Sequence, residues 1–356
     1  MTIILVILIL ALLIIIHELG HFITAKLSGV RVQEFGVGYP PRAFRLGTIG
    51  DTEYTLNWIP FGGFVRLFGD EGEGQRGRGT FVGAARWKQV IILASGVVMN
   101  VVLGYALFAA AYAIGIPRPV DAPGPGVHLY ISDVVPGSPA EAAGIRAGDQ
   151  LLAMTDRNGM ALDTLTPQTI KEYVAGRAGQ RIEVSFTHDS TVESAEIIPA
   201  NAVIQGAAGR AALGIGLALV SNAPLPVSEA LQAAGQMSIV TLGSVAQNLW
   251  GLITRTASLS QVVGPVGLVS VVREAAQVGL AQLLALAGFI SINLAVINLI
   301  PIPALDGGRL LIIIIETVIR RPASKLAVHL LNMVGITAII LLMVVVTYHD
   351  IARLVT

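Results

Sequence analysis

The chain has 356 residues, 54% of them hydrophobic and 13% charged, with 23 basic side chains balanced by 23 acidic ones. A soluble domain carries about 25% charged residues, so this is the composition of an integral membrane protein, and its zero net charge supplies no basic field for nucleic acid. Cysteine is absent, which excludes disulfides, thiolate metal sites and a cysteine nucleophile together.

The N-terminal apolar run has no basic n-region and outlasts a signal peptide, so residues 1–27 are expected to form a retained first span. Ile3–Ile16 contains no polar side chain, and the sequence then reads His17-Glu18-Leu19-Gly20-His21. At helical pitch His17 and His21 lie one turn apart on one face. Both imidazoles can therefore reach one metal ion, with Glu18 beside them to handle a proton. A lone histidine in an apolar helix is more often a satisfied core residue. A pair with an intervening glutamate inside a span is costly there and marks function. A zinc site of this kind needs a third ligand from elsewhere in the chain.

Residues 28–86 change character. Val30–Phe68 is rich in glycine, aromatic and β-branched residues, which predicts three or four short strands in a twisted sheet. That sheet is expected at the cytoplasmic face of the membrane; the alternative is a small surface sheet that staples two helices. Glu71–Gly79 reads as a charged, glycine-rich loop. Residues 87–116 form a second span opened by Trp87-Lys88, with small residues around Gly96 for close helix packing and Asn100 as interhelical glue.

Residues 117–201 begin with a Pro/Gly linker, and from Gly126 to Pro199 the composition becomes that of a soluble domain. Its strand, turn and helix order, with the run Pro136-Gly137-Ser138-Pro139-Ala140 and then Ala147-Gly148-Asp149, resembles a protease-associated PDZ domain, a fold that binds extended peptides at a sheet edge. In residues 202–279, Val227–Thr254 is apolar with scattered Gln, Ser and Glu. It reads either as an amphipathic helix on the membrane surface or as a fifth span. Residues 280–356 contain the third and fourth spans, Leu280–Leu299 and about Ala327–Val346. Between them runs Asn298-Leu299-Ile300-Pro301-Ile302-Pro303-Ala304-Leu305-Asp306-Gly307-Gly308. Prolines break the helix and glycines permit close backbone approach. Asp306 is a helix cap, a partner for Arg309, or the missing ligand, and the histidine pair favours the ligand. His17 and Asp306 both fall roughly 20–30 Å along their helices from one side, so they can meet. Nine Lys and Arg from Lys26 to Lys88 and four from Arg309 to Lys325 make those segments cytoplasmic, with the termini and the PDZ-like domain outside.

His-Glu-x-x-His on the first span, Leu-Asp-Gly on a later one and a PDZ-like domain between them resemble the site-2 protease family, in its bacterial regulator-of-sigma-E form. The resemblance implies that His17, His21 and Asp306 bind zinc (Zn2+) and that Glu18 is the general base. It further implies that Asn298, Pro301 and Pro303, and the glycines Gly36 and Gly38 of the membrane-dipping sheet, hold substrate. Two departures stand out. Well-known members carry two PDZ domains where this chain has room for one. The family's Gly-Pro-x-x-Asn reads Gly96-Val97-Val98-Met99-Asn100 here, a change expected to affect packing alone.

The expected fold is thus a polytopic α-helical membrane protein of about four spans, with a membrane-associated β-sheet and an inserted extracytoplasmic PDZ-like domain. The expected function is intramembrane zinc endoproteolysis of single-span membrane proteins, of the anti-sigma-factor or remnant-signal-peptide kind, in the lipid bilayer of the inner membrane. The PDZ-like domain would bind peptide termini or exclude bulky ectodomains. A transporter would show repeated halves, and none is found; a scaffold would have no use for Glu18.

Overall fold

A computed structural model of the chain describes residues 1–70, 77–157, 159–188, 191–201, 211–254, 263–321 and 323–355. Most of the loop expected at Glu71–Gly79 lies outside the described residues. The chain divides into two compact units, Met1–Ala113 with Leu225–Thr356, and Ile114–Pro224.

In the first unit, α1 (Thr2–Leu27) runs unbroken through the histidine motif and stops at Ser28 and Gly29, where φ reaches +78°. The sheet that follows consists of two long strands, β1 (Val32–Ile49) and β2 (Thr52–Leu67), rather than three or four short ones. The reason lies in their register. Phe35 faces both Val65 and Tyr54, Gly36 both Phe64 and Thr55, and Val37 both Gly63 and Leu56, while 42–49 pairs back on 52–57. Each long strand folds on itself and works as two segments without losing pairing. Tyr54–Leu56 is therefore interior, and the edges are 42–49 and 63–67. Buried Glu34 ties the sheet together: it meets Arg42 and Arg66, each at 3.2 Å, and accepts from Thr55 Oγ1 at 2.7 Å. A carboxylate this deeply buried is tolerated because its partners satisfy it.

Four described helices are long and apolar enough to cross a membrane: α1, α2 (Arg86–Ile114), α7 (Leu280–Leu299) and, in the last helix, Leu326–Arg353. They pack through small residues. A side chain at Gly20 of α1 would put Cβ 2.5 Å from the Ser95 carbonyl oxygen of α2. Gly104 of α2 and Gly288 of α7 each approach the other's carbonyl to 3.0 Å in the same sense. Ser291 Oγ donates to Asn100 O at 2.7 Å across that contact.

The second unit is a six-stranded antiparallel sheet with two short helices. In chain order it contains β3 (Arg118–Pro119), β4 (Val127–Val134), α3 (Pro139–Ala142), β5 (Gln150–Asp156), α4 (Pro167–Ala175), β6 (Ile182–His188), β7 (Thr191–Ile197) and β8 (Ile215–Ser221). The strand order is β3-β8-β4-β5-β6-β7. Ile182, Val184 and Phe186 alternate inward and meet Leu129, Ile131, Leu151 and Met154, the period-two pattern of a half-buried sheet. Thr166 caps α4 in a capping box with Thr169, followed by Pro167. The expected end of this domain at residue 201 is too early. β8 pairs along the full length of β4, so the unit runs on to Pro224.

The chain then returns through α5 (Val227–Ile253), α6 (Pro265–Val278), α7, α8 (Asp306–Ile319) and α9 (Lys325–Val355). α5 is as long as α1, but its Glu, Gln and Ser residues keep it out of the group apolar enough to span. The buried carboxylate of Asp350 on α9 accepts from the amides of Gly264 and Gly267, at 3.1 and 2.8 Å, and so caps α6 from another helix.

Candidate active site

α1 places His17 and His21 on its inward face, each 7% exposed. Pro301 and Pro303 end α7 and turn the chain, so that α8 starts at Asp306 with its carboxylate aimed back at them. Gly307 and Gly308 make that turn possible: a Cβ at either would strike the carbonyls of Leu299, Ile300 or Ile302. Gly335 of α9 likewise abuts the Pro303 carbonyl.

Three side-chain atoms converge. His17 Nε2 lies 3.1 Å from His21 Nε2, and Asp306 Oδ2 stands 3.0 and 3.2 Å from the two nitrogens. Nitrogen and oxygen ligands about 2.0 Å from a tetrahedral zinc would be separated by about 3.3 Å. The observed triangle has that size. Asp306 Oδ2 is buried and makes no hydrogen bond among the described residues. The other two readings of Asp306 are unused: α8 has Leu305 as N-cap with no side-chain cap bond, and Arg309 pairs with Asp70 instead. An acceptor oxygen held against two imidazole nitrogens, with no proton shared in good geometry, is what a cation-binding triad needs. This donor set fits zinc.

The imidazoles are held from behind. His21 Nδ1 donates to the Ile92 carbonyl of α2 at 2.8 Å, which leaves Nε2 with its lone pair facing the triangle. His17 Nδ1 lies 3.3 Å from Asn100 Nδ2, and buried Asn100 Oδ1 has no partner among the described residues. Asn298 Nδ2 comes within 3.5 Å of His17 Nε2. The back wall is Gly96: a Cβ there would lie 2.5 Å from His21 Nε2 and 2.7 Å from His17 Cε1. The Gly96–Asn100 segment, expected to affect packing alone, therefore bounds the triad directly. Its signal was present in the sequence as a glycine and a polar residue four apart, on one face of an apolar span.

Glu18 faces the sheet. A Cβ at Gly63 would meet Glu18 Cγ at 3.4 Å. The edge 63–67 thus runs past the glutamate. Gly36 and Gly38 do not reach it. Gly36 lies under the Phe64 ring, and Gly38, at φ +82°, accepts from Asn57 Nδ2 at 3.0 Å. Both are explained by packing inside the sheet, and Gly63 is the glycine that meets Glu18. Of the residues expected at the site, His17, Glu18, His21, Asn298 and Asp306 come together; Pro301 and Pro303 shape the turn behind Asp306.

A glutamate between two helical histidines, a distant aspartate closing the triad and a strand edge alongside define a metallopeptidase-type centre set among apolar helices. The sequence pattern described as peptidase family M50 matches residues 5–343, and the chain belongs to that family. It is a zinc metalloprotease of that kind. A protein of Clostridium perfringens named as a zinc metalloprotease is 35% identical over 344 residues, covering 95% of each chain. Zinc metalloprotease RasP of Oceanobacillus iheyensis is 25% identical across 99% of each chain. Among solved structures, the PDZ domain of an SdrC-like protein from Listeria monocytogenes aligns with 28% of this chain and 93% of its own, at 23% identity and a TM-score of 0.21.

Proposed function

We propose that this chain is a multi-pass inner-membrane protease that cuts single-span membrane proteins, with His17, His21 and Asp306 as the zinc ligands and Glu18 as the proton-transfer group. The convergence of three ligand atoms on one point, with Asp306 Oδ2 otherwise unpaired, carries the reading. Zinc held there supplies the Lewis acidity that makes water acidic near neutral pH and polarises a peptide carbonyl. Glu18 accepts the attacking water's proton and returns it to the departing amine. His17 must carry its remaining proton on Nδ1 when Nε2 faces the metal, and that proton needs an acceptor. Asn100 provides one with its amide turned so that Oδ1 faces the ring, which also satisfies the buried oxygen.

A transmembrane helix hides its carbonyls in its own hydrogen bonds, so substrate must unwind before cleavage. The edge 63–67 beside Glu18 offers strand pairing to the unwound segment, and Asn298 adds a donor near His17 Nε2. The four apolar helices support insertion in the bilayer, and the basic segments 26–88 and 309–325 support their cytoplasmic placement. Regulated cleavage of anti-sigma factors or remnant signal peptides suits a protease that takes single spans, with α5 lying along the membrane surface and the six-stranded unit as an extracytoplasmic PDZ-like filter.

The test is Glu18→Gln in the full chain, assayed for zinc by elemental analysis and for cleavage of a single-span reporter. Zinc should stay at the parent's level while cleavage disappears, because an amide cannot take the water's proton. Continued turnover by this variant would remove Glu18 from the mechanism.

A further inference from the structure

A cavity of about 810 Å³ lies away from the metal triad. It opens where α1 ends, α2 begins and α8 ends. Five cations line it, Arg78, Arg86, Lys88, Arg320 and Arg321, against a single carboxylate, Glu316. That carboxylate is committed: it pairs with Arg86 at 2.7 Å and accepts from the Ala323 amide at 2.9 Å. Lys88 is committed as well, donating to the Ser28 carbonyl at 2.8 Å and so closing the end of α1. Arg86 and Lys88 thereby hold the frame. Arg78, Arg320 and Arg321 have no ion-pair partner among the described residues.

Three guanidinium groups without an ion-pair partner among the described residues repel each other around one cavity, and a bound anion removes that cost. The forked donors of arginine match phosphate oxygens. The residues next to the lining in the chain point to the source of the phosphate. Leu27, Trp87 and Ile319 adjoin lining residues in the chain, and they are 83%, 62% and 60% exposed. Two of the cavity's helices, α1 and α2, are candidate spans that terminate here, so the cavity sits at the level where lipid headgroups meet helix ends. Basic pockets between spans recognise anionic headgroups by this chemistry.

We propose that this cavity binds the phosphate of an anionic membrane lipid, with Arg78, Arg320 and Arg321 as its ligands and the apolar rim taking the acyl chains. The three helices joined here carry the histidine pair, the Gly96 wall and Asp306. The proposal rests on the membrane reading above, and its test does not involve cleavage.

Purified full-length protein in neutral detergent is titrated with micelles containing phosphatidylglycerol, with phosphatidylcholine micelles and with inorganic phosphate, and lipid retention is read by native mass spectrometry. Phosphatidylglycerol should bind in preference to phosphatidylcholine. Replacing the three arginines by glutamine should weaken it roughly a hundredfold, and Arg320→Gln alone roughly fivefold should the triple variant fail to fold. Replacement by three lysines should also weaken it, since an ammonium cannot reproduce the fork. Zinc content, measured on the same samples, should match the parent. Undiminished phosphatidylglycerol binding by the glutamine variants overturns the site. Parental binding by the lysine variant shows only a diffuse basic surface, and inorganic phosphate binding as tightly as the lipid overturns the lipid assignment.

Discussion

Gly96→Ala adds one methyl group to the wall behind the triad. Its Cβ would stand 2.5 Å from His21 Nε2, 2.6 Å from His21 Cε1 and 2.7 Å from His17 Cε1. Ordinary contact begins near 3.4 Å, so something must yield by about 0.9 Å. Neither ring yields easily. His21 is pinned by its bond to Ile92, and His17 lies against Asn100 and Asn298. Zinc ligand distances tolerate shifts of only about 0.2 Å, so a displaced ring leaves the ligand set. Overpacking of this kind costs about 1–3 kcal/mol, which as affinity is roughly five- to 150-fold. Competition with a zinc chelator on the purified full chain measures it directly. Gly104→Ala is the control: its Cβ would press on Ile292 Cγ1 at 2.6 Å, in the same helix but away from the triad. It should lower the melting temperature and leave zinc affinity unchanged. A Gly96→Ala protein that holds zinc as tightly as the parent would refute the assignment of this wall.

Asp306→Ala should lose zinc, and retention of the metal at parental affinity would place the third ligand elsewhere. Asn100→Ala should weaken zinc by roughly 10- to 100-fold through loss of the acceptor behind His17; chelator competition checks it, and an unchanged affinity would return Asn100 to a packing role. Val65→Pro removes a backbone donor from the 63–67 edge and should reduce cleavage of a model span while zinc content is retained; equal activity would mean that this edge does not serve the substrate. Excising the six-stranded unit should let the enzyme cut substrates that keep a large outer domain. The excision must include β8, and a short linker suffices because Leu225 N meets Tyr112 O at 3.0 Å. Rejection of untrimmed substrate by a folded, zinc-bearing excision variant would favour peptide binding over size exclusion.

The parts of the site that could be read in the sequence are those whose chemistry is carried by side chains. His17, Glu18 and His21 announce themselves because ionisable groups in an apolar helix must be explained, and Asp306 follows from the same argument. Gly96 carries no such mark. Its role is to be absent from a volume that His21 and His17 occupy, and that volume exists only once α2 is laid against α1. Gly63 is hidden in the same way: one of five glycines in the two strands, it becomes distinct when it is brought against Glu18.

The sheet shows why local pattern predicts segments better than their connections. The three or four short strands expected here correspond to the pairing segments 32–37, 42–49, 52–57 and 63–67. The structure keeps 32–49 and 52–67 as continuous strands because the bends at Gly38 and Gly62, at φ +82° and +100°, redirect the chain without ending its pairing. That folding decides function. It buries Tyr54–Leu56 between two neighbours, which removes the segment as a docking edge for substrate. It also leaves 63–67 as the edge that passes Glu18. The same logic explains the misjudged end of the second unit. Ile215–Ser221 reads locally as one more apolar stretch after a long gap, and only its pairing with β4, a contact about ninety residues back along the chain, makes it a central strand of the sheet. An error in that boundary would have left β8 as an unpaired strand in any deletion designed from sequence alone, and an exposed edge of that kind invites aggregation.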